Sequence, residues 1–238
     1  MINNFSDKIV SLCYNLKIIM KRITLFSGHY GSGKTNASVN FAVSLAKSGK
    51  KVSVYDMDIV NPYYRTLDAK DRLNAEGVHL VVSGFANSNV DLPSVSAESY
   101  AMIHDKSRYA VVDIGGDDRG ALVLGRFSEE IKAENDYEFI YVLNKFRPET
   151  RDIESAFEVF NEIENACKIK FTAIMSNGNL GKETTKSDVL EGLEFSKEFA
   201  KKVGLPVKYT GVWGELLDKE NFDINNILRL ELINYLNF

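Results

Sequence analysis

The chain has 238 residues, a formal net charge of −4 at pH 7 and two cysteines. That length supports one domain with a large buried core. The mild acidity, without a long basic run, argues against a nucleic-acid surface, and no run approaches the roughly 20 apolar residues that cross a bilayer.

Residues 1–20 carry Ile2, Phe5, Ile9, Leu12 and Leu16 at roughly helical spacing, without the compact apolar segment or small-residue cleavage site of a signal peptide. Met20-Lys21-Arg22-Ile23 reads as a natural start. Residues 1–20 are therefore expected to be an N-terminal extension and 21–238 a single nucleotide-binding domain. Cys13 and Cys167 show no metal-type spacing, which fits reduced thiols in a cytoplasmic protein.

Ile23 to Phe26 predicts a buried strand, and Asn36 to Lys47 a helix. Between them stands Gly28-His29-Tyr30-Gly31-Ser32-Gly33-Lys34-Thr35, which fits the phosphate-binding pattern G-x-x-x-x-G-K-[ST] in its required strand–loop–helix setting. Glycines let the backbone curl with its N–H groups inward, as a nest for phosphate oxygens. The start of the helix at Asn36 adds its positive dipole end. Lys34 is placed to reach the β- and γ-phosphates, and the Thr35 hydroxyl to ligate Mg²⁺.

Further strands are predicted at Val52–Tyr55, Val78–Val82, Tyr109–Ile114, Phe139–Leu143, Phe171–Met175 and Val207–Tyr209, with helices at Glu149–Ala166 and Lys186–Val203. Thr185-x-x-Asp188 resembles a capping box before the last of these. Nearly continuous apolar strands alternating with helices indicate an α/β fold: a doubly wound, mostly parallel sheet of about seven strands with helices on both faces. Such sheets bind ligands beyond the C-terminal strand ends. Polar residues gather there: Asp56-Met57-Asp58, Asp113-Ile114-Gly115-Gly116, Asn144 to Pro148, and Ser176-Asn177-Gly178.

Asp113 closes an apolar strand as a Mg²⁺-holding carboxylate does, and Gly115-Gly116 lets backbone N–H groups approach a γ-phosphate. Asp58 is the candidate to orient an attacking water, with Asp56 supporting the metal's waters; strand-end turn capping is the plainer alternative for all three. The loop Ala86–Ser96 either lines a substrate site or is plain surface. The tail from Ile224 to Phe238 is apolar, with Arg229 as its one basic residue, and is expected to dock on the core rather than on a membrane.

With Gly28–Thr35, Asp56-x-Asp58 and Asp113-x-Gly115 in this order, the chain resembles the MinD/ParA/CobQ–CobB-like P-loop ATPases of the SIMIBI class over roughly Lys21 to Tyr209. The likeness is strongest to an uncharacterised bacterial subgroup with the loop Gly-His-Tyr-Gly-Ser-Gly-Lys-Thr, a motif like Asp56–Tyr63, Gly-Gly-Asp-Asp at Gly115–Asp118 and a late Glu-Thr-Thr at Glu183–Thr185. The resemblance implies binding of ATP and Mg²⁺ and slow hydrolysis coupled to conformational change, often in a nucleotide-sandwich homodimer. It implies Lys34, Asp58 and Asp113 as catalytic residues and Thr35, Asp56, Asp58 and Asp113 around the metal. It also implies Asn177 as a reader of the base, since its amide offers donor and acceptor to an adenine edge.

One position departs from the pattern. Relatives carry a lysine after the first glycine that reaches the partner's phosphates; here it is His29. Arg65, Arg119 and Arg147 are the candidates to replace that charge. The client is a protein, for a regulatory ATPase, or a small molecule, for an amidoligase or kinase of the CobB or dethiobiotin synthetase type. Nucleotide sensing without hydrolysis is the third reading.

Overall fold

The computed structural model describes residues 20–58, 69–82, 97–116 and 118–231, with the side chains of 118 and 119 left aside. Residues 1–19, most of the Asp56–Tyr63 motif, Arg65 and the loop Ala86–Ser96 lie outside that set, as does the Arg119 side chain.

Among the described residues eight strands form one sheet: β1 (Ile23–Ser27), β2 (Val52–Met57), β3 (His79–Val82), β4 (Tyr109–Ile114), β5 (Tyr137–Leu143), β6 (Ala173–Ser176), β7 (Val207–Trp213) and β8 (Ile227–Leu230). Their spatial order is β3-β2-β4-β1-β5-β6-β7-β8. Every pairing is parallel. Parallel strands need crossovers, and the helices that supply them bury both faces, so β1 and β2 are mostly apolar and are buried along their whole length.

The helices are α1 (Lys34–Lys47), α2 (Lys70–Ala75), α3 (Ala101–His104), α4 (Asp118–Gly125), α5 (Ser128–Glu134), α6 (Ile153–Cys167), α7 (Lys186–Val203) and α8 (Gly214–Lys219). Strand alternation sorts the core into two layers. Ile23, Leu25, Met57, Phe139 and Tyr141 face the layer holding Phe160 of α6 and Phe199 of α7. There Phe139 stacks on Phe171 with centroids 4.1 Å apart. Phe26, Val54, Val111, Ile140 and Val142 face the other layer, built on Phe41 and its neighbours in α1 and on Leu73 of α2.

Several elements differ from the sequence expectation; β7, for one, runs on past Tyr209 to Trp213. The described part of the tail, up to residue 231, docks on the core as an edge strand, and the tail beyond it lies outside the described residues; the sheet has eight strands among the described residues rather than about seven: Asn226 takes a left-handed φ of 60° and Ile227–Leu230 pairs with Thr210–Trp213. Leu228 and Leu230 then alternate into the α1 layer, which suits period two over these four residues. α6 starts at Ile153 rather than Glu149, because Pro148–Thr150 forms a separate 3₁₀ turn and Asp152 caps the helix by accepting from Ser155 N–H at 2.9 Å. β6 starts at Ala173, after Thr172 Oγ1 accepts the Phe139 N–H at 2.9 Å. The capping box at Thr185 and Asp188 forms as expected.

At the opposite end of the sheet from the strand C-termini, Arg22 bonds Glu134 and donates from Nη2 to the carbonyls of Met102 and Ile103 at 3.0 and 3.2 Å. Lys106 adds a second cation 2.6 Å from Glu134. Burial works against this carboxylate, but the two cations outweigh it and hold Glu134 below its ordinary value.

Candidate functional site

β1 lies between β4 and β5, and the chain crosses β4 to reach β2 before filling the other side with β5 to β8. The C-terminal end of β1 is therefore a topological switch point, where parallel sheets bind ligands. Residues 28–33 form the loop there. Ser32 N–H closes a turn onto the His29 carbonyl at 3.0 Å, and Ala37 N–H donates to the Gly33 carbonyl at 2.9 Å, starting the ladder of α1. The positive end of α1 thus faces the loop. Gly31 and Gly33 have φ of 75° and 90°, a left-handed region that a side chain would strain.

Lys34 and Asp58 meet directly: Nζ lies 3.0 Å from Oδ2, with side chains 5% and 3% exposed. Asp58 N–H donates in turn to Asp56 Oδ1 at 3.1 Å. Asp56 and Asp113 are register partners on β2 and β4. By alternation both project to the α1 side of the sheet, the side on which Thr35 opens its helix. Asp56, Asp113 and Thr35 are all buried. A hydroxyl and carboxylates are hard oxygen donors. Among the described residues no group of three or more His, Cys, Asp or Glu side chains could hold a metal alone. That donor set fits Mg²⁺, which keeps waters and takes substrate phosphate oxygens, better than an ion needing an all-protein cage.

Three neighbouring strand ends grip the loop. After β4, Gly116 approaches so closely that a Cβ there would lie 2.0 Å from the Gly28 carbonyl oxygen. After β5, Arg147 Nε donates to the Gly31 carbonyl at 2.7 Å. After β6, Asn177 Nδ2 donates to the Ser32 carbonyl at 2.6 Å, and its Oδ1 is buried without a hydrogen-bond acceptor role among the described residues.

His29 Nδ1 lies 3.1 Å from the Tyr30 carbonyl and 3.6 Å from Glu149, while Tyr30 is 56% exposed. Asn36 turns along its helix, accepting from Asn40 Nδ2 at 2.7 Å through its carbonyl. Of the three arginines raised from sequence, Arg147 is seen at the loop. Sequence reasoning placed Asn144 at a strand end without a role; its Nδ2 donates to the Asn179 carbonyl at 3.0 Å and ties two strand-end loops together. Its place at the end of an apolar strand was the available signal.

A family model described as the CobQ/CobB/MinD/ParA nucleotide binding domain matches residues 23–180. The chain is 33% identical over 125 residues to the cytosolic Fe-S cluster assembly factor NUBP2 of Homo sapiens, covering 52% of this chain and 44% of that protein. It is 60% identical over 37 residues to an uncharacterized ATP-binding protein of Methanocaldococcus jannaschii, covering 16% of this chain and 14% of that one. It thus spans less than half the length of either relative. Among solved structures, the cell division protein FtsY of Thermotoga maritima superposes with a TM-score of 0.57 at 16% identity, over 87% of this chain and 68% of that chain. FtsY of Elizabethkingia anophelis in complex with GDP superposes with a TM-score of 0.53 at 19% identity, over 87% and 64%. At such identities the likeness shows the fold.

Proposed function

The chain belongs to the CobQ/CobB/MinD/ParA nucleotide-binding domain family, and on that premise we propose that it binds ATP with Mg²⁺ and hydrolyses it slowly, coupling the step to a change in shape or in partner binding. The observation that carries this reading is the 3.0 Å contact between Lys34 and Asp58. It sets a carboxylate beside the cation that reaches the terminal phosphates.

In this reading Lys34 holds the β- and γ-phosphates and the loop backbone cradles them. Asp58 orients the attacking water. The water oxygen bonds the γ-phosphorus, the bond to the ADP oxygen breaks, and the water proton passes to the Asp58 carboxylate and on to the released phosphate. Thr35, Asp56, Asp58 and Asp113 would hold Mg²⁺, directly or through water. The ion supplies neutralisation of phosphate charge. Asn177 reads the base: its Oδ1, buried and without a donor among the described residues, is an acceptor, which suits the 6-amino group of adenine.

The test is phosphate release from purified protein with MgATP alone. Steady release is expected, and Asp58→Asn should lower it at least about 100-fold while ATP still binds. Release only after a small carboxylate is added would replace this reading with acyl-phosphate formation. Tight ATP binding with no release would leave a nucleotide sensor.

A further inference from the structure

We propose that Arg147 is the site's own γ-phosphate arginine, acting on nucleotide bound by the same chain; the proposal rests on reading the site as one for a nucleoside triphosphate. Arg147 follows β5, the strand beside β1. Its loop is locked by local hydrogen bonds. Asn144 Oδ1 accepts from Phe146 N–H at 3.1 Å, and the Asn144 carbonyl accepts from Arg147 N–H at 3.2 Å and Thr150 Oγ1 at 2.6 Å. From this base the side chain reaches the phosphate loop, where Nε donates to the Gly31 carbonyl at 2.7 Å. The guanidinium is so close that a Cβ on Gly31 would meet Nε at 3.3 Å and Cζ at 3.6 Å.

One donor of the fork is therefore committed to orientation. The two terminal amino groups have no acceptor among the described residues. A half-buried, anchored guanidinium whose terminal donors are uncommitted among the described residues, beside a phosphate-loop backbone, is a bidentate receptor for phosphate oxygens. His29 is turned elsewhere, toward Glu149 and the Tyr30 carbonyl. Arg147 thus brings a second cation, after Lys34, to the place where charge develops as the terminal phosphoryl group leaves.

The experiment measures affinities of the full chain for ATP and for ADP, both with Mg²⁺, in wild type, Arg147→Ala and Arg147→Lys, alongside phosphate release. Arg147→Ala should bind ATP about 10- to 100-fold more weakly while ADP affinity stays within about threefold. Arg147→Lys should recover little, because an ammonium lacks the fork. Added guanidinium ion should restore part of the lost turnover, and mixing Arg147→Ala with Lys34→Ala should restore none. Equal loss of ATP and ADP affinity, which a mere loop brace would give, overturns the proposal. So does no loss, or recovery on mixing. A wild-type protein that binds ATP without releasing phosphate overturns hydrolysis instead, and the ATP-to-ADP comparison still decides Arg147. Binding of neither nucleotide overturns both.

Discussion

Lys34 and Asp58 are opposite charges held 3.0 Å apart with almost no solvent access. Taking away one member of such a pair costs about 3–5 kcal/mol, because the other charge stays buried. Lys34→Ala therefore tests stability and ligand binding together. Saturating MgATP at about 100 times its Kd adds about 2.7 kcal/mol to a protein that binds it only when folded. We expect ATP to raise the wild-type melting temperature and to leave that of Lys34→Ala unmoved; an equal rise in both would sink the phosphate-loop assignment. Gly116 offers a test without charge. A methyl group there would need space 2.0 Å from the Gly28 carbonyl oxygen, so Gly116→Ala should push the β4 loop off the phosphate loop and weaken ATP binding. Unchanged affinity, measured by titration calorimetry, would show that this approach has no part in the site.

Among the elements, α7 and β8 carry the clearest expectations. The N-terminus of α7 is closed by Thr185 and Asp188, each side chain taking the other's backbone N–H. The Thr185 hydroxyl, donating to Asp188 Oδ2 at 2.6 Å, and the Thr185 N–H hold the Asp188 carboxyl below its ordinary value. Thr185→Ala should cost about 1 kcal/mol and lower the melting temperature by about 2–4 °C for a chain of this size. β8 is short, but it is built into the core. Leu230 is 1% exposed, and the chain just beyond it is held by Asn40 of α1, which donates to the Glu231 carbonyl at 2.9 Å and accepts its N–H at 3.0 Å. Leu230→Ala should lose about 2–5 kcal/mol in urea denaturation. A loss under 1 kcal/mol would mean that the edge strand is an ornament on a seven-strand fold.

For the molecule as a whole, the acid limb of stability has a named contributor. Glu134 joins α5 to Arg22 and Lys106 at the end of the sheet away from the nucleotide loop, and its folded value lies below the ordinary 4.5. The unfolded chain therefore takes up a proton at Glu134 before the folded one does. The stabilisation is complete above about pH 4.5 and is lost as pH falls through the lower folded value. Glu134→Gln should be less stable at pH 7 and should show a flatter decline below pH 4.5. An unchanged acid slope in denaturation at pH 7, 4.5 and 3 would assign that slope to other carboxylates.

Local physics made much of this protein legible before folding. Glycine spacing and the lysine that follows it signal a phosphate loop because few other residues let a backbone curl so tightly. Apolar runs signalled strands buried on both faces, and the start of α7 was marked by its capping box at Thr185 and Asp188. Asp113 and Asp58 could be singled out because a carboxylate ending an apolar strand is costly unless it has work there. Tertiary packing decided the rest. Ile227–Leu230 is too short for its periodicity to choose between helix and strand, and the open edge of β7 chose strand. Arg147 to Gly31 and Asn177 to Ser32 are hydrogen bonds between residues 116 and 145 positions apart. No local pattern encodes such a contact; it exists because β5 lies next to β1 and β6 next to β5, and both strands bring their C-terminal loops to the same turn.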